Sequence, residues 1–120
     1  MSFLVDRARS ALLWLVVAAS AYASATESDE AAFLAENEAA MTKMMARMHI
    51  EPLGDVDRDF VAMMVPHHQG AIDMAVAQLR YGRNEQLRRL AQEIIVTQQQ
   101  EIAAMRFALG QPLPPTGAMR

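Results

Sequence analysis

The chain has 120 residues, a formal net charge of −3, 10 methionines and no cysteine, and its length suits a single domain. The acidic balance argues against nucleic acid, which calls for a basic patch, and the lack of cysteine excludes disulfide staples and thiolate metal ligands. Ala, Leu, Ile, Val and Met carry the hydrophobic content beside seven aromatics (four Phe, two Tyr, one Trp), a balance that favours helix over sheet.

Residues 1–25 read as a cleaved export signal. Arg7 and Arg9 give a positive start, Ala11 to Ala19 form a short apolar core, and Ala21-Tyr22-Ala23 and Ala23-Ser24-Ala25 each match a small-x-small cleavage site. The apolar stretch is shorter than the roughly 20 residues a membrane span requires, so contact with the membrane is expected only during export. Cleavage near residue 24 removes Asp6, Arg7 and Arg9, which leaves 9 basic and 13 acidic side chains and a net charge near −4. The mature chain is therefore expected in the periplasm. Residues 26–110 form the helical domain and residues 111–120 a disordered tail.

Three helices follow. The first is expected from about Asp29 to His49, with Ser28 as its N-cap and Asp29 and Glu30 where the helix dipole favours negative charge. Leu34, Met41, Met44, Met45 and Met48 fall in one arc at 100° per residue. Ile50 to Val56, with Pro52 and Gly54, reads as a loop. The second helix opens near Asp55 or Asp57 and runs to Tyr81, with Gly82 as its stop. Its inward stripe is read as Phe60, Met63, His67, Ala71, Met74 and Gln78, with His68 about 80° from Phe60. Pro66 lies inside this helix and predicts a kink or irregular turn, because it lacks an amide donor and crowds the carbonyl of Ala62.

The third helix starts after Asn84 and ends before Gly110. Its inner stripe is read as Leu87, Leu90, Ala91, Ile94, Gln98, Glu101, Ile102, Met105 and Leu109. Gln98 and Glu101 stand where packing would favour leucine, and a buried carboxylate needs a partner. The whole is an all-α antiparallel helical bundle. A mature chain this short has a thin core, so a homo-oligomer is expected.

Met63-Met64-Val65-Pro66-His67-His68 carries the strongest chemical signal. Residues four apart share a helix face, so Met63 pairs with His67 and Met64 with His68. Each pair offers a thioether and an imidazole, a donor set that suits soft copper(I), whereas Mg²⁺ or Ca²⁺ would want oxygen. Met74 lies two turns beyond His67, about 10 Å along the axis, too far to share one ion with Met63. Met41, Met44, Met45, Met48 and His49 gather further soft donors on the first helix, although methionine also fills helical cores well. His67 is equally able to hydrogen-bond Glu101 or Gln98 as a core imidazole. Such a contact would also fix its tautomer for a metal.

An enzyme is not expected. No Glu-x-x-His unit of a di-iron bundle occurs, no serine follows Ser28 to serve a nucleophilic triad, and no nucleotide-binding glycine loop is present.

The run Asp59-Phe60-Val61-x-Met63-Met64-x-Pro66-His67-His68-Gln69-Gly70-Ala71-Ile72-x-Met74-Ala75, with Leu90-Ala91-x-x-Ile94-Ile95-x-x-Gln98-x-x-Glu101-Ile102-x-x-Met105, closely resembles the bacterial domain-of-unknown-function family three hundred and five. The resemblance covers roughly residues 40–109. That family includes CopM-type periplasmic copper-binding proteins and is described as ferritin-like. The resemblance implies binding of copper, with silver(I) as a further candidate ion, through Met63, Met64, His67, His68, Met74 and Met105, with Gln98 and Glu101 in support. It further implies metal tolerance or trafficking, with a periplasmic copper exporter or chaperone as the partner for hand-over. Phe107 stands where many members carry tryptophan, and this chain has one His-His unit where some members have two. Two other readings are a structural module whose His–Glu–Gln network only sets helix register, and, more remotely, a copper-dependent oxidoreductase.

Overall fold

The computed structural model describes residues 26–112. The export-signal reading of residues 1–25 lies outside them, as do residues 113–120 of the tail. Among the described residues there are three helices and no strand: α1 over residues 26–48, α2 over Val56–Tyr81 and α3 over Glu85–Ala108. The fold is an all-α helical bundle. Residues 33–112 belong to one compact unit, and residues 26–32, the described part of the other, are helical.

Local chemistry sets the ends of α2 and α3. The Asp55 carboxylate accepts from the backbone amides of Asp57 and Arg58 at 3.0 and 3.2 Å and opens α2, satisfying donors that have no partner within the helix. Asp59 accepts from the amide of Leu53 at 2.9 Å and ties the preceding loop to the first turn. Asn84 caps α3 through the amides of Gln86 and Leu87 at 2.9 and 3.0 Å. Gly54, at φ +78°, supplies the left-handed turn of the α1–α2 loop. Gly82 ends α2 with extended backbone.

Two expectations about helix ends are corrected. Ser28 does not cap α1, because it lies inside a helix already formed at residue 26; Thr26 to Ala32 holds no helix breaker, and its acidic residues suit a first turn. No irregular turn forms at Pro66, since α2 stays helical through it.

The largest correction concerns which face of α2 is inside. Phe60 is 51% exposed, Met63 and Met74 are 37% exposed, and His67 is exposed as well. The buried residues are His68, Ile72 and Ala75 on one side and Gly70 and Ala77 on the opposite side. Small residues explain this. The neighbouring helices approach α2 where its side chains are short, and the long methionine and phenylalanine stripe is left facing outward. At Gly70 the approach is so close that an added Cβ would lie 2.6 Å from the sulfur of Met44. The buried core consists of Ala40, Ile72, Ala75, Ala77, Ala91 and Ile102 with His68. Each isoleucine contributes about 1.5–3 kcal/mol by burial, and the alanines contribute little area, so the core is thin.

Candidate metal site at the methionine and histidine residues

α2 carries its chemistry between Met63 and Met74, and the two histidines in that stretch have different surroundings. His68 is buried, and both of its ring nitrogens are engaged. Nδ1 lies 2.8 Å from the carbonyl oxygen of Met64, one turn earlier, and Nε2 lies 2.6 Å from Glu101 Oε2 on α3. A carbonyl only accepts, so Nδ1 carries a proton. One further proton then lies between Nε2 and Oε2, either as imidazolium facing carboxylate or as neutral ring facing carboxylic acid. Neither arrangement leaves His68 a lone pair for a metal unless Glu101 moves away.

Met64 thus meets His68 through its backbone carbonyl and not through the thioether that the sequence pairing invokes, and the expected contact of His67 with Glu101 is corrected to His68 with Glu101. Glu101 was expected to be buried. Its side chain is half exposed, so the carboxylate keeps some water and its partner is not asked to offset full desolvation. Gln98, one turn before Glu101 on α3, is half-buried and makes no hydrogen bond to either histidine.

His67 is exposed, and among the described residues neither of its ring nitrogens has a hydrogen-bond partner. Its described ring contact is with His68, edge to face, with centroids 5.9 Å apart and planes at 64°. Met63 lies one helical turn before it on the same exposed face. Met64 and Met105 are half-buried. On α1, Met44 packs its sulfur against Gly70, which makes it a packing residue here. Met45 and Met41 are exposed, Met48 is half-buried, and His49 is exposed just past the helix end. Met74 lies apart from the histidines and lines an apolar groove of about 400 Å³ with Phe33, Leu87, Leu90 and Ile94. Among the described residues no group of three His, Asp or Glu side chains converges to hold a metal ion.

Two polar clusters escaped the sequence reading. Glu36 on α1 accepts from Tyr81 at 2.8 Å and from Arg80 on α2. The Tyr81 hydroxyl, then the Arg80 guanidinium, hold the Glu36 carboxyl below its ordinary range, while hydrogen bonding to Glu36 pushes Arg80 and Tyr81 up. Arg88 on α3 donates to the carbonyls of Leu79 and Gly82 at 2.5 and 3.0 Å, capping the end of α2. Basic residues near a helix C-terminus are a readable signal, but here the cation comes from the following helix.

No helix of the described residues is long and apolar enough to cross a membrane. No curated protein matches the chain. The family model described as a domain of unknown function, DUF305, matches residues 12–109, and the chain belongs to that family.

Proposed function

We propose that this chain binds copper(I) as cargo, with silver(I) as a chemical congener, through Met63 and His67, and that it acts in periplasmic sequestration or hand-over without catalysing a reaction. One observation carries the reading: Met63 and His67 share an exposed face of α2 one turn apart, and no described residue engages either His67 nitrogen. A thioether and a neutral imidazole are soft, uncharged donors that suit a monovalent soft ion and hold it without changing its oxidation state. Few donors make release easy, as hand-over to a tighter exporter or chaperone requires. Protons compete for the imidazole, so affinity falls on acidification. His68 and Glu101 then serve as a structural tie between α2 and α3.

Competition titration against a colorimetric copper(I) chelator tests the division of labour. His67→Ala is expected to weaken copper(I) binding at least tenfold. His68→Ala is expected to change affinity less than threefold but to lower unfolding stability by about 1–3 kcal/mol, because Glu101 and the Met64 carbonyl lose a shared donor. Unchanged affinity in His67→Ala would end this reading.

A further inference from the structure

The outward stripe of α2 continues into the apolar groove. Met74 and Met63 are eleven residues apart, which is within about 20° on a helix, and His67 lies equally close in angle to Met74. Phe60, at 51% exposure, extends the stripe at one end. At the other end, Leu87 and Leu90 of α3, 51% and 49% exposed, flank Met74, and none of the described residues that line the groove is charged. Together these side chains leave a continuous accessible face of the kind a partner buries in an interface. The core beneath is built mainly of alanine and contains no large side chain that is fully buried. Midway along the stripe sits Ala71, the one small residue between His67 and Met74 that lines the groove.

We propose that two copies of this chain pack their α2 stripes antiparallel about a two-fold axis at Ala71, so that Met74 of each copy completes the Met63–His67 site of the other. The occupant of the groove is thus a second copy. A stripe that is apolar, uncharged and centred on a small residue is self-complementary in the way an isologous contact requires. In such a pair, a residue three positions after the axis faces residues three and four positions before it on the other copy. Met74 then faces the partner's position 67 within about one residue rise, 1.5 Å. This accounts for a methionine that sits two turns from His67 in its own chain and so cannot serve that chain's ion. The ligand assignment rests on the copper reading; the packing does not.

Because the chain has no cysteine, the packing can be tested without metal. Chains carrying His67→Cys and Met74→Cys, mixed and mildly oxidised, are expected to yield a disulfide-linked pair, which requires Cβ atoms about 3.8 Å apart. Sedimentation of the mature protein is expected to give twice the mass of its own chain, and Ala71→Arg is expected to give a monomer with helicity intact. Should Ala71→Arg unfold, Leu87→Glu, at a half-exposed position, replaces it. Met74→Leu is expected to keep the dimer and weaken copper(I) binding at least threefold. Mixing Met74→Leu with His67→Ala chains is expected to restore one intact site per mixed dimer. A monomer, whether its groove is open or covered by residues 1–25, would overturn the proposal, as would a dimer without the 67–74 crosslink or one in which Met74→Leu binds copper(I) unchanged. If the unmodified protein fails to bind copper(I) yet the crosslink forms, the copper reading and the shared site fall while the two-fold packing stands.

Discussion

Adjacent residues on one helix can do opposite work. His67 and His68 differ by 100° around α2, and that angle decides that one ring meets solvent while the other is held between a carbonyl and a carboxylate. Hydrophobic periodicity places His67 on the inward stripe and His68 off it, the reverse of what the fold does, because the choice depends on where α3 lies. Glu36 shows the same dependence. In sequence it is one of several acidic residues on α1, and only folding brings Arg80 and Tyr81 to it. Its folded carboxyl titrates below the ordinary value of a glutamate, held down first by the Tyr81 hydroxyl and then by the Arg80 guanidinium. Its stabilising effect is therefore present above that value and is lost as pH falls through the lower folded one. Glu36→Gln is expected to flatten the loss of stability between about pH 5 and pH 3, followed by urea unfolding at each pH. An unchanged slope would mean that the carboxylate is not coupled to folding.

At the scale of elements, what was legible was what is decided locally. Asp55 and Asn84 announce α2 and α3 because an N-cap needs only its own next two or three amides. The start of α1 was not legible, since Thr26 to Ala32 would accept either coil or helix. The inner face of α2 was misread for a different reason. A helical wheel finds the apolar side, but helices approach most closely where residues are small. Here Gly70, Ala75 and Ala77 mark the contacts, and Met63 and Phe60 do not. Arg88 is the clearest link between elements that the sequence concealed, as it belongs to α3 and closes α2. Arg88→Ala is expected to cost about 1–2 kcal/mol in chemical denaturation, since two carbonyls lose a charged donor. Arg88→Lys is expected to recover part of that. A loss below a few tenths of a kcal/mol would mean that water replaces the guanidinium without penalty.

Across the molecule, α3 is fastened to α2 at two points by different chemistry, a guanidinium on backbone carbonyls at Arg88 and an imidazole on a carboxylate at Glu101. Two fasteners on one rigid rod fix its phase, much as two screws stop a plate from turning. Each added residue advances a helix by about 100° and 1.5 Å, so one residue inserted between Arg88 and Glu101 lets only one fastener seat. A single alanine inserted after Gln92 is expected to lower the urea midpoint more than the same insertion after Pro52 in the α1–α2 loop. Equal losses would mean that α3 can rotate freely against its neighbour. The helix is thus indexed to one rotational setting, and changes of length there are far less tolerable than changes of side chain on its outer surface.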